Sequence, residues 1–412
     1  MGGIRINKLS YYIIHINLLL LLFGYAFTVA IFIPLTGNVA GSSTIVTIPF
    51  RAIQLSLSLL TILVAWKYKL DLTLGSKLFL IFWIAFLVRV FYDLHIRNDF
   101  NIPYYYSLRV WTGSFWLTFI PLLSILKSYP LVDLDYIRTN GYRMLFVVLV
   151  ISAGTLFTYG DISERINLNI ALDSISFGKT SMIFVIFIIL NISQRKKYTL
   201  KYFYYLFLFA ISLYVAMNSG SRGPVISFLF VIIFWYSFKS SKLNISIVKF
   251  GFLLILLYMF QSVMINIIGY ISPLTAVRFE QGIAGNDLSL INRQISYEWF
   301  LDEIKQNLLF GSQFARLSNT EYPGYAHNLF LDILIGFGIP GFLYFLAILF
   351  IAFKNIRNMV FVDKAHMWYG FIFLIYFSGS LVSGAYYSTP ELSFFLILVL
   401  QYNQKSKFYI KH

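Results

Sequence analysis

Two short stretches of this chain carry side chains that could do chemistry. The first, Asn218-Ser219-Gly220-Ser221-Arg222-Gly223-Pro224, joins two apolar runs with almost no loop between them. Pro224 suits the first turn of a helix and Gly223 lets a ligand approach the backbone, so the spacing predicts a helix whose free N–H groups face the junction. Such a terminus beside an arginine binds anions, because the unpaired N–H groups and the helix dipole add to the guanidinium charge. The plainer alternative is a tight turn whose Arg222 meets lipid headgroups. The second stretch is Gly324-Tyr325-Ala326-His327-Asn328-Leu329-Phe330-Leu331-Asp332, at the start of another apolar run. A histidine at that border titrates near neutrality and can act as a base, or it can be a polar anchor; position leaves both open.

Other signals carry less. Gly336-Phe337-Gly338-Ile339-Pro340-Gly341 matches a dinucleotide-binding string, but it lies inside an apolar run instead of after a strand. Those glycines suit close packing, with Pro340 bending the span. The five histidines fall on separate segments and there is no cysteine, so no metal site, disulfide or thiolate chemistry is readable, and no cofactor is implied. Glu280, Asp287, Glu298, Asp302, Glu303 and Glu321 could each assist proton transfer, and nothing in the sequence chooses among them.

The elements that must position these residues are read from composition. Of the 412 residues, 59% are hydrophobic and only 12% charged, which excludes a soluble cytosolic enzyme. The 43 Phe, 30 Tyr and 7 Trp exceed what a water-facing fold could hide, but a lipid-facing one can expose them. A net charge of +15 could suggest nucleic acid, yet the cations lie between apolar runs and form no patch, so no nucleic-acid partner is expected. A helix needs about 20 apolar residues to cross roughly 30 Å of hydrocarbon. That length picks out twelve runs: 11–35, 45–66, 75–93, 107–127, 143–160, 174–192, 201–218, 223–238, 246–268, 327–353, 366–386 and 389–403. The first is too long for a signal peptide and reads as an uncleaved span. The fold class is therefore an all-α polytopic membrane protein of about twelve transmembrane helices.

With both termini cytoplasmic, the inner face carries 21 of the 32 Lys and Arg, as the positive-inside rule requires. The remaining cations are Arg51, Arg89, Arg97, Arg109, Arg165, Lys179, Arg222, Arg278, Arg293, Lys305 and Arg316, whereas the inner set is mostly lysine. Topology is indifferent to that choice, but a planar fork of donors suits phosphate, so the outer bias points to an arginine-lined anion site. The alternative is snorkelling at span ends, as Arg51 and Arg89 could do. The one long connection, 269–326, lies outside, between nine spans (1–268) and the last three with their tail (327–412). Leu288, Ile291, Ile295, Trp299, Ile304 and Leu308 recur at helical spacing within it, which predicts an amphipathic helix on the membrane surface or over a cavity.

Ser219-Gly220-Ser221-Arg222-Gly223 at a span junction, then a long outer loop, then Ala326-His327-Asn328-Leu329-Phe330-Leu331 running into the 336–341 glycines, resembles the bacterial O-antigen ligase and polymerase superfamily. The resemblance covers roughly residues 160–345; the first five spans match only in being hydrophobic. It implies a GT-C-like glycosyltransferase of the bacterial inner membrane. Its active site would face the periplasm, and its donor would be an undecaprenyl-diphosphate-linked oligosaccharide. By this resemblance Arg222 and Arg293 hold the diphosphate and His327 activates the acceptor, with Arg165 as a further outer arginine. Ser221, Gly223, Arg278 and Asn328 flank these positions and are expected to bind substrate. Polymerase and ligase differ in acceptor, another lipid-linked repeat or lipid A-core. The Ser-Arg-Gly-Pro form and the Phe-, Tyr-, Ile- and Asn-rich composition favour the polymerase, which leaves room for a chain-length regulator as partner. A flippase or other transporter would also fit twelve spans, but the repeated halves and broken helices common in transporters are not evident in the sequence.

Overall fold

The computed structural model describes residues 7–35, 42–97, 104–158, 174–193, 199–239, 243–312, 326–382 and 389–402. Among the described residues every regular element is helical, as hydrocarbon demands of a backbone that must satisfy its own N–H and C=O groups. In chain order the helices are α1 (Lys8–Leu19), α2 (Tyr25–Leu35), α3 (Ser42–Ala65), α4 (Leu74–Phe91), α5 (Tyr104–Trp111), α6 (Ile120–Ser128), α7 (Leu134–Thr158), α8 (Ser174–Ser193) and α9 (Leu200–Asn218). They continue as α10 (Arg222–Ser237), α11 (Leu243–Met259), α12 (Gln261–Ile271), α13 (Pro273–Ile283), α14 (Leu288–Gln306), α15 (Leu329–Phe361), α16 (Met367–Ser380) and α17 (Pro390–Gln401). π-Helical turns join α1 to α2 and α5 to α6 and extend α4 to Arg97.

Each of the twelve apolar runs falls mainly on helix over its described part. Seven helical stretches are long and apolar enough to cross a membrane alone, and the pair α11–α12 makes an eighth. The chain is an all-α polytopic membrane protein. Helices α16 and α17 are short, 14 and 12 residues, and are buried along almost their whole length. Trp368, Tyr369, Phe371, Phe394 and Phe395 are all buried, and so are Phe177, Phe184 and Phe187 of α8. The Trp368 ring lies 5.8 Å from Phe187 and 6.2 Å from Phe23. A helix that is apolar all round is a core helix. The outer helices show the opposite face: Phe203 and Phe207 of α9 and Phe252 and Ile255 of α11 are exposed, where lipid would lie. Asn17 is buried within the bundle, and its amide donates to Ser124 and accepts from Ser58, tying α1, α6 and α3 together; a polar group in hydrocarbon is tolerated only when so paired.

One expectation is corrected and another is refined. The run 246–268 is not one straight span, because the chain bends by 65° between α11 and α12. Gln261, Ser262 and Asn266 make α12 less apolar, and it packs on α9 and α13. The long connection holds a helix at the predicted place, and its apolar stripe divides: Trp299 and Ile304 pack inward, whereas residues nearer its start do not. Ile291 and Ile295 are exposed, while Phe300 and Ile304 are buried against Ala326 and Ile335. The helix packs on the start of α15 through residues near its C-terminal end, and α13 precedes it unforeseen.

Candidate functional site

The site begins at the elbow between α9 and α10. Gly220 turns the chain with φ +67°, a conformation that costs glycine little and a residue with a Cβ more. The Ser219 hydroxyl donates to the Ala216 carbonyl and accepts from the Ser221 N–H. Ser221 stands at the N-cap of α10 without a side-chain capping bond. On α8, Gly178 lets the elbow approach: a Cβ there would lie 2.7 Å from the Ser219 Oγ and 2.8 Å from Pro224 Cγ. Gly223 differs, since a Cβ would meet nothing nearer than the Ser221 Oγ at 4.0 Å. Packing does not demand a glycine at 223, which leaves the backbone open to a ligand.

Helix α13 is stitched onto this elbow. Thr275 Oγ1 donates to the Met217 carbonyl at 2.5 Å and Arg278 Nη1 to the Gly220 carbonyl at 2.7 Å. Arg222 returns the contact, Nη1 to the Arg278 carbonyl and Nη2 to Asp287 Oδ2, both at 2.7 Å. Together the elements enclose a cavity of about 250 Å³ whose lining includes Ser221, Arg222, Gly223, Arg278, Arg293 and Lys179. Four cations facing one cavity repel one another at close range. Their charge is offset in part by Asp287 on Arg222, and Lys179 also lies 5.1 Å from the Tyr376 ring centroid. An anion with several oxygens is the ligand that such a lining favours.

His327 lies where the long connection enters α15. Its backbone has φ +50°, the one positive φ outside glycine among the described residues. A non-glycine residue held there is strained and is worth a functional reading. Asn328 holds the strain in place: its side chain accepts from the Phe330 and Leu331 N–H groups and caps α15. The His327 side chain is half-buried. Burial and the Arg293 guanidinium push its imidazole below its ordinary pKa of 6.5, against an upward pull from buried Asp332. The ring is therefore neutral at pH 7, the state that can take a proton. One turn beyond Arg293, burial raises the Tyr297 phenol and Arg293 partly opposes it.

The far end of α14 is fastened separately. Arg89 donates through Nη1 to the Phe310 carbonyl, through Nη2 to the Gly311 carbonyl and through Nε to Asp93 Oδ2, each at 2.9 Å. Beside it the loop backbone lies on α15, Ile339 N to Leu308 O at 2.9 Å and Ser312 N to Ile335 O at 2.5 Å. This explains Gly338, the central glycine of 336–341. Gly338 breaks α15 with φ +64°, and a Cβ on it would run into the Leu309 carbonyl. A Cβ on Gly311 would lie 2.6 Å from the Ile335 carbonyl. What packs closely there is the loop's backbone, not a neighbouring helix.

The structure thus places Arg222, Arg278, Arg293, Ser221 and Gly223 on one cavity. His327 lies within electrostatic reach of Arg293 but off the cavity lining, and Asn328 serves as a helix cap. Arg165 lies outside the described residues. Sequence reasoning passed over Lys179 as a site residue, and only its place among the outer cations hinted at it. Asp287 was one of six loop carboxylates, and only folding distinguishes it. Among the described residues, no three His, Asp or Glu side chains are grouped so as to hold a metal ion.

Residues 207–346 match the family model described as O-Antigen ligase. The match spans the elbow, the long connection and the start of α15, and it supports the resemblance of this part of the chain to the O-antigen ligase and polymerase superfamily. No curated protein matches the chain.

Proposed function

We propose that this protein is an inner-membrane glycosyltransferase that polymerises undecaprenyl-diphosphate-linked oligosaccharide repeats on the periplasmic face. The observation that carries the reading is the convergence of Arg222, Arg278, Arg293 and Lys179 on one cavity, with the half-buried His327 close enough for the Arg293 charge to lower its pKa. In the reaction an acceptor sugar hydroxyl attacks the anomeric carbon of the donor. The bond from that carbon to the diphosphate oxygen breaks as the new glycosidic bond forms. The electron pair leaves on the diphosphate, whose growing charge the arginine forks meet. The hydroxyl proton passes to His327; a sugar hydroxyl is far less acidic than an imidazolium, so this transfer accompanies the attack. Asn328 contributes by holding the backbone that aims His327.

A second reading is a ligase that transfers the glycan to lipid A-core, favoured by the description of the matched family model. Both use the same cavity and the same bonds and differ only in acceptor. Surface polysaccharide from a strain lacking this protein separates them. A single repeat on the core means polymerase, and long chains left on the carrier lipid mean ligase. Loss of all outward repeats would instead make the protein a flippase and sink both.

A further inference from the structure

The Arg222 fork is already in use. Nη2 donates to Asp287 Oδ2 and Nη1 to the Arg278 carbonyl, both at 2.7 Å, and the Asp287 side chain is 5% exposed. Asp287 directly precedes α14, the helix that carries Arg293. Two residues earlier Gly285 turns the chain with φ +74°, and a Cβ there would meet nothing within 4 Å, so this corner has room around it. An acid thus sits on the guanidinium that the proposed reaction needs for its leaving group.

A cationic cavity at a membrane surface must choose between two ligands of similar chemistry. Anionic phospholipids offer a phosphodiester with one negative charge and are abundant, whereas a lipid-linked diphosphate carries two or more and is scarce. Four cations alone would hold either. Specificity then needs an element that acts against the wrong ligand as well as for the right one.

We propose that Asp287 is the specificity-determining residue of this cavity, a tethered single negative charge that a phosphodiester does not displace from Arg222 and a diphosphate does. The inference rests on reading the cavity as the diphosphate site. Asp287 already gives Arg222 one charge and a hydrogen bond, at no cost in association entropy. A phosphodiester would supply the same single charge and pay that cost, so the exchange gains nothing. A diphosphate brings a second charged group for Arg278, Arg293 or Lys179 in the same step, and that differential affinity drives the exchange.

The test uses purified full-length protein in nanodiscs of zwitterionic lipid, with geranyl diphosphate as ligand and soluble dihexanoyl phosphatidylglycerol as competitor. Wild type should bind geranyl diphosphate without being displaced by the competitor. Asp287→Asn should bind geranyl diphosphate at least as tightly and lose about tenfold or more of that apparent affinity in excess competitor, because the competing charge is gone. Asp287→Glu, which restores the charge, should resist displacement as wild type does. Displacement of the ligand from wild type overturns the proposal without any variant, and equal resistance in Asp287→Asn overturns it too. Arg222→Gln separates this from failure of the underlying reading. If it binds geranyl diphosphate like wild type, the cavity is not the diphosphate site and both ideas fall. If it binds weakly while Asp287→Asn still resists, the selectivity idea falls alone.

Discussion

Two arginine sites bracket α14 and use the same side chain in opposite ways. Beyond its C-terminal end, Arg89 directs Nε, Nη1 and Nη2 to a carboxylate and two backbone carbonyls of its own chain. Before its N-terminal end, Arg222 also holds protein groups, but together with Arg278, Arg293 and Lys179 it faces a cavity. A buried carboxylate must be paired, and an arginine that pairs it while holding two backbone carbonyls of another segment makes structure. Cations that share a cavity repel one another and gain from a further anion. An outer arginine therefore says little until its neighbours are known. The snorkelling alternative for Arg89 and the anion-site reading were both drawn from the same bias; Arg89 turns out to fasten the loop that carries Arg293.

The contrast predicts that turnover is lost at one end of α14 and stability at the other. The largest effect should come from His327→Gln, which keeps a hydrogen bond but cannot take up a proton at neutral pH. Loss of a general base costs about 100- to 10,000-fold in rate. Because burial and Arg293 favour the neutral ring, wild-type activity should hold through neutrality and fall only as pH drops below 6.5. Near-normal turnover of the Gln variant with purified lipid-linked donor would remove His327 as base and turn attention to the loop carboxylates.

Next come Arg222→Lys and Arg293→Lys, which keep the charge and lose the fork. Either should cost about 2–4 kcal/mol of barrier stabilisation, roughly 30- to 1000-fold in turnover. Arg222→Lys also gives up the paired reach to Asp287 and the Arg278 carbonyl, so its stability falls too, by less than the barrier effect. Wild-type rates in both variants would mean that the cavity is not where the diphosphate sits. At the other end, Arg89→Lys gives up the paired bonds to Phe310 and Gly311 and should lower stability by about 1.5–3 kcal/mol, read as a fall in thermal midpoint. The comparison breaks if this variant keeps its midpoint and loses donor binding as Arg222→Lys does. The smallest effect should be that of Gly223→Ala. Its Cβ has space, so stability should move by less than about 0.5 kcal/mol, while the KM for donor rises because the added methyl stands where the ligand meets the backbone. An unchanged KM would place the ligand elsewhere in the cavity.

The sequence alone located the apolar helices, because a run of apolar residues is a local signal that each carries by itself, though it did not reveal α13. It also picked out Arg222 and His327 from turn residues and an apolar border, signals that lie within a few residues of each. The 65° bend after α11 was not legible, since no proline or glycine marks it and contacts with α9 and α13 accompany it. Spacing along α14 picked out Trp299 and Ile304 but not the partners they and Phe300 pack against, Ala326 and Ile335, which lie on another segment. Only the tertiary structure decided that Arg278, Arg293 and Lys179 meet Arg222, that Asp287 and not another loop acid pairs with it, and that Arg89 is spent on carbonyls. These groups are separated by tens to hundreds of residues. Their pairing depends on how helices pack, which the one-dimensional pattern of apolar and charged residues does not encode.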